Sequence, residues 1–115
     1  MSYRTSYYME VKGIKNQNEF CKLCARLREK GLFGWVFEEP TFMDDDDRQY
    51  FLTDDAVSWY EYDDDMKQVS TLFPNLTFRL DGNGEDTMDI WSAYYKNGDV
   101  EYTEVELPPP KRIVW

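Results

Sequence analysis

Between Tyr3 and Lys12 the larger apolar side chains fall at Tyr3, Tyr7, Met9 and Val11, with Arg4, Glu10 and Lys12 on the other parity. That alternation predicts a strand with one buried face. Gly13 ends it, and Asn16 or Asn18 is placed to cap a helix. In that helix Phe20, Leu23, Cys24 and Leu27 recur at the three- and four-residue spacing of one buried stripe, and Gly31 supplies the stop. The aromatic stretch Phe33-Gly34-Trp35-Val36-Phe37 suits either a short strand or a packed loop, kept brief by Gly34 and Pro40. Residues 41–43 and 48–53 then read as a hairpin, whose tip is the run Asp44, Asp45, Asp46, Asp47, where the charges stay hydrated.

Asp54, Asp55 or Ser58 starts a second helix, with Trp59, Tyr62, Met66, Val69 and Phe73 on one face and Pro74 at its close. Leu76, Phe78 and Leu80 alternate with Thr77, Arg79 and Asp81 in a strand that leads into a Gly82-Asn83-Gly84 turn. Residues 88–96 and 99–107 flank Asn97-Gly98, the pair best suited to the positive φ angles of a type I′ hairpin turn. Pro108, Pro109 and Pro110 favour an extended arm, and Ile113-Val114-Trp115 is apolar enough to be expected to dock. The order is strand, helix, hairpin, helix, then a meander. Its first six elements give βαββαβ, so the expected class is α+β: a ferredoxin-like domain with an extra C-terminal hairpin, two helices on one face of an antiparallel sheet. Residues 1–107 are expected to form a single domain and residues 108–115 a proline-rich tail.

Composition narrows the chemistry. A length of 115 residues fits one core, and an aromatic fraction of 17% supplies enough bulk to fold despite the charge. The 23 acidic residues exceed the 13 basic ones, giving a formal charge of −10. Such a field disfavours direct contact with nucleic acid or anionic lipid and favours a basic protein partner. The sequence lacks an apolar run of the ~18 residues needed to cross a bilayer and an apolar leader, so a cytoplasmic location is expected.

With no histidine anywhere, Cys21, Cys24 and the serines lack the usual activating base, and a non-enzymatic protein is expected. Cys21-x-x-Cys24 is half of a zinc motif whose other thiolates or imidazoles do not exist in this chain, so buried structural thiols, at least Cys24 on the apolar face, are the expectation. Asp81-x-Asn83-x-Glu85 begins like a calcium loop but has Asp86 where glycine is needed and Ser92 where a bidentate glutamate is needed. Plentiful carboxylates could hold Mg²⁺ for hydrolysis, but acids this common usually just face water. No catalytic, cofactor or metal residue is therefore expected.

What the acids can do is bind. They cluster at Asp44, Asp45, Asp46 and Asp47, at Asp54 and Asp55, and at Glu61, Asp63, Asp64 and Asp65. Duplex DNA presents a charge every ~1.7 Å of its axis, and a carboxylate array along one edge of the fold imitates that field. Tyr50 and Tyr60 are the expected anchoring aromatics, with Trp35, Tyr94 and Tyr102 as further candidates.

From Trp59 to Val100 the chain carries Trp59-Tyr60-x-Tyr62-Asp63-Asp64-Asp65-Met66, Phe73-Pro74-Asn75-Leu76-Thr77-Phe78, Gly82-Asn83-Gly84-Glu85, Asp89-Ile90-Trp91 and Tyr95-x-Asn97-Gly98. This stretch resembles the ferredoxin-like domain of the YubB type found in phage and plasmid proteins. The resemblance implies a mobile-element protein and brings no site residues with it. Together with the charge it leads to an expected role as an inhibitor that covers the basic surface of a host nucleic-acid-binding enzyme. The alternative is an accessory module of a phage or plasmid that self-associates as a homodimer.

Overall fold

The computed structural model describes residues 3–43, 48–53, 56–85 and 89–104. Along them run β1 (Thr5–Lys12), α1 (Gln17–Glu29), β2 (Arg48–Leu52), α2 (Tyr62–Leu72), β3 (Thr77–Gly84), β4 (Ile90–Lys96) and β5 (Asp99–Glu104). The strands form one antiparallel sheet in the order β2-β1-β3-β4-β5. Because β1 is antiparallel to both β2 and β3, those two run parallel on either side of it, and β2–α2–β3 is a split βαβ unit. The fold is α+β.

Alternation sorts every strand into two faces. Tyr7, Met9 and Val11 of β1 share a face with Phe51 of β2, Phe78 and Leu80 of β3, and Ala93 and Tyr95 of β4, all buried in one core. Helix α1 lies on that face, where Phe20 stacks on Phe51 at 6.1 Å between ring centroids. Helix α2 lies there too, with Tyr62 stacked on Trp91 at 4.8 Å. Among the described residues no helix covers the opposite face.

Helix α1 starts as expected. The Asn16 side chain accepts a hydrogen bond from the Glu19 amide at 2.9 Å, and Arg26 and Arg28 sit in the last turn, where cations suit the helix dipole. Residues 32–37 are a packed loop. The Val36 and Phe37 amides both donate to the Leu32 carbonyl at 3.0 Å, burying Leu32, Val36 and Phe37 and leaving Trp35 exposed. Asn97 and Gly98 take φ values of 48° and 84°, as a type I′ turn requires.

Three expectations need correction. Residues 41–43 form no strand, so the described order is βαβαβββ, not βαββαβ followed by a hairpin. The buried Gln49 side chain explains this, since its amide group donates to the Met43 carbonyl at 3.0 Å and accepts from the Met43 amide at 2.9 Å. One side chain thus binds both backbone groups of Met43 that a strand partner would use. Gly82-Asn83-Gly84 is no turn but the end of β3, paired through Tyr7↔Gly82 and Thr5↔Gly84. Helix α2 starts later than Asp54, Asp55 or Ser58 would place it, with Glu61 as an N-cap that makes no side-chain cap bond. The acidic tip, Asp54 and Asp55, the start of the strand expected from residue 88, and the proline tail with Ile113-Val114-Trp115 lie outside the described residues.

Candidate partner-binding surfaces

The first turn of α2 holds three aspartates in a row, and the fold treats them differently. Asp65 points inward, where its Oδ2 accepts from the Trp59 indole at 2.8 Å and its Oδ1 lies 3.9 Å from the Lys30 ammonium. Asp63 faces the sheet. Its Oδ1 accepts from the Tyr95 hydroxyl at 2.8 Å and the Tyr102 hydroxyl at 2.7 Å, and its Oδ2 pairs with Lys67 at 3.0 Å. Partial burial works to raise the Asp63 carboxyl, but the hydrogen bonds from Tyr102, Lys67 and Tyr95 outweigh it and hold the group below its ordinary range. The phenols answer in the opposite sense: burial first, then the hydrogen bonds with Tyr102 and Asp63, push Tyr95 well up, and burial first, then the hydrogen bond with Asp63, pushes Tyr102 up.

Asp63 and Asp65 are thus committed to clasping the helix to its surroundings. Glu61 and Asp64 are not. Both are exposed, and among the described residues neither side chain has a hydrogen-bond or ion-pair partner. Three residues apart across the helix start, they flank the same end of α2. Tyr60 projects beside them at 68% exposure, its hydroxyl accepting from the Tyr3 amide at 3.1 Å, while Ser58 donates to the Tyr3 carbonyl at 2.8 Å. These two bonds tie the segment before α2 to the chain just ahead of β1.

Tyr50 stands elsewhere. It alternates with buried Gln49 and Phe51, so it lies on the uncovered sheet face, 6.1 Å from the Tyr8 ring. The sheet therefore separates Tyr50 from Tyr60 and the α2 acids. Of the further candidates, Trp35 is exposed on the 32–37 loop, Tyr94 joins Tyr50 on the uncovered face, and Tyr102 sits half-exposed against Trp91 and Asp63 on the helical side. Asp44, Asp45, Asp46, Asp47, Asp54 and Asp55 lie outside the described residues.

The uncovered face is a surface that sequence reasoning passed over. Among the described residues it carries Lys12, Arg48, Arg79 and Lys96 against Glu10, Asp81, Asp99 and Glu101, four cations against four carboxylates. Glu10 pairs with Arg48 at 3.0 Å and with Arg79 at 3.5 Å. The Arg79 guanidinium also grips both oxygens of Asp81 at 3.0 and 2.9 Å, and Asp81 accepts from Ser92 at 2.6 Å. A shallow concavity of about 280 Å³ opens there between Lys12, Arg48, Arg79 and Tyr94. The signal was present in sequence as the strands' polar parity at Glu10, Lys12, Arg79 and Asp81.

The cysteines sit on α1, Cys21 exposed and Cys24 buried, with burial pushing the Cys24 thiol up to about 11. That makes Cys24 a poor nucleophile and a good core residue. Among the described residues no three histidine, cysteine, aspartate or glutamate side chains converge on a point that could hold a metal ion. No helix of the described residues is long and apolar enough to cross a membrane. No family model, curated protein or solved structure matches the chain.

Proposed function

We propose that this chain is a non-enzymatic binding protein that covers a basic surface of a nucleic-acid-binding protein with the acidic end of α2. The observation that carries this reading is Tyr60, projecting at 68% exposure beside Glu61 and Asp64, two carboxylates with no partner among the described residues. An exposed aromatic supplies contact area at low entropic cost, and adjacent free charges supply steering. Among the described residues the uncovered sheet face balances four cations against four carboxylates, so their net negative charge lies off that face. Among the described charges, a cationic partner is drawn to the helical side more than to this balanced face.

The mobile-element setting implied by the YubB-type resemblance makes a host defence enzyme the natural target, and the cytoplasm the place where the two meet. A ferredoxin-like kinship belongs to the same proposal. It is supported by the split βαβ unit and by an added β4–β5 hairpin beyond it, although residues 41–43 are coil where that fold has a strand.

A test is retention of host proteins on the immobilised chain at about 50 mM and about 500 mM salt, where exposed charge pairs are screened. The wild type should hold a partner at low salt only and release it to duplex DNA. Glu61→Lys with Asp64→Lys should fail to hold it, as should replacement of Asp44, Asp45, Asp46 and Asp47 by lysine. Retention unchanged in both variants, or indifferent to DNA, ends the proposal.

A further inference from the structure

One end of the uncovered sheet face, where β1 and β4 stop and β2 and β3 begin, is organised around Thr77. In the register of β1 with β3, Lys12 stands opposite Thr77, and the pair Phe78↔Tyr95 sets Lys96 beside Thr77 on its other flank. Farther out in the same row lie Arg48, opposite Lys12, and Asp99, opposite Lys96. Strands are about 4.8 Å apart and rise about 3.4 Å per residue, so all four described cations of the face fall within about 10 Å of Thr77, with only Glu10 and Asp99 among its described carboxylates. Asp81 and Glu101 fall about 12 Å away or more. A face whose described charges balance as a whole is therefore cationic at this end.

The cations there differ in what they hold. Arg79 is committed to Glu10 and Asp81, and Arg48 to Glu10. Among the described residues Lys12 and Lys96 meet no carboxylate, and the Lys96 ammonium leans toward the Thr77 hydroxyl, 3.5 Å away. Two concavities, of about 280 and about 860 Å³, meet at Thr77 and Tyr94, the first reaching Lys12 and the second Lys96. Tyr94, exposed on this face, is a wall of both.

We propose that Lys12, Thr77 and Lys96 bind the dianion of a phosphomonoester whose organic part packs on the Tyr94 ring. Two ammoniums and a hydroxyl donor flank one spot, and the three terminal oxygens of a phosphomonoester accept from all three at once, which the two oxygens of a carboxylate do not. An anion at Arg48 or Arg79 has to compete with Glu10 and Asp81, and Arg48 also follows the run Asp44, Asp45, Asp46, Asp47 in the chain, so the binding is assigned to the lysines. A long polyanion is repelled at range by the formal charge of −10, whereas a single phosphate group meets the local excess of cations. The ligand class is thus a small phosphorylated molecule bearing a ring, such as a nucleoside monophosphate.

Amide chemical shifts of the ¹⁵N-labelled chain, followed during titration with adenosine monophosphate at low salt, test this. Binding should saturate with a dissociation constant of about 1 mM or below. Lys12, Thr77, Tyr94 and Lys96 should move while Tyr60, Glu61 and Asp64 stay still. Lys12→Gln and Lys96→Gln should each weaken binding about tenfold and Thr77→Val about threefold, whereas Lys22→Gln, on α1, should leave it unchanged. Inorganic phosphate should bind more weakly than adenosine monophosphate to the wild type, and Tyr94→Ala should remove that difference. Affinity should rise about fivefold from about pH 5 to about pH 7 as the second phosphate proton leaves near 6, since the chain has no histidine to titrate there. Circular dichroism confirms that the variants fold. Shifts that do not saturate by about 10 mM, an equal loss in Lys22→Gln, or an affinity indifferent to pH overturns the proposal. So does tighter binding of a short single-stranded oligonucleotide than of adenosine monophosphate. All of these variants keep Tyr60, Glu61 and Asp64, so failure here leaves the proposed partner site untouched.

Discussion

Gly82 shows how far one residue can be misread when its neighbour across the sheet is unknown. A Cβ at this position would overlap the Trp91 ring, which lies across the glycine from β4. The glycine is therefore a socket for tryptophan inside a strand. Gly82→Ala should destabilise the protein by about 1–3 kcal/mol in urea unfolding. In a Trp91→Ala background the same substitution should cost nothing, because the obstruction is gone; equal costs in both backgrounds would refute the packing account. Asp63 offers a second test at this scale. Asp63→Asn keeps the size but weakens acceptance from Tyr95, Tyr102 and Lys67, and should cost about 1–3 kcal/mol at neutral pH. The residues that were legible from sequence are those whose role is local. Asn97 and Gly98 set their own φ angles and Asn16 caps its own helix, whereas Gly82, Gln49 and Asp63 answer to partners outside their own elements.

The elements were legible where periodicity ran long. The buried positions of α1 are Phe20, Leu23, Cys24 and Leu27, and those of β1 follow strict alternation. Periodicity failed at residues 41–43, too short to carry a pattern and held by a side chain instead of a ladder. It also misplaced the start of α2, because Asp54, Asp55 and Ser58 all look like caps while the helix begins after Glu61 with no side-chain cap. The two helices should therefore respond differently. Asn16→Ala should lower stability by about 1 kcal/mol, whereas Glu61→Ala should stay within about 0.5 kcal/mol, since no cap bond is lost. Thermal unfolding of the pair checks this, and a Glu61→Ala loss as large as that of Asn16→Ala would contradict the capping assignment. As a candidate site, the acidic run in α2 was visible in sequence. Which of its acids are free was not, because the distinction depends on Trp59, Tyr95, Tyr102 and Lys30 arriving from elsewhere.

At the scale of the whole molecule, titration links the clasp to stability. The Asp63 carboxyl is held below its reference value of 3.8, so its contribution is present above that pH and lost as pH falls through the lower folded value. Tyr7, Tyr95 and Tyr102 are shifted the other way, Tyr7 to about 12, chiefly by burial. Their contribution is complete below the ordinary phenol value near 10 and drains away as pH rises toward the folded values. Urea midpoints should be flat between about pH 5 and pH 9 and fall above about pH 10, with a shallower fall in Tyr95→Phe. A steep loss between pH 6 and 8 would contradict this, since no histidine is present to titrate there.

Among the described residues, charge also divides the molecule into a balanced sheet face and an acidic remainder, and this division underlies the proposed partner site. Amide chemical shifts of the ¹⁵N-labelled chain, followed during titration with a short oligolysine at low salt, read it residue by residue. The division predicts that Tyr60, Glu61 and Asp64 move early and that Tyr8, Arg79 and Tyr94 stay still. Movement concentrated on the sheet face, or spread evenly over both sides, would contradict it.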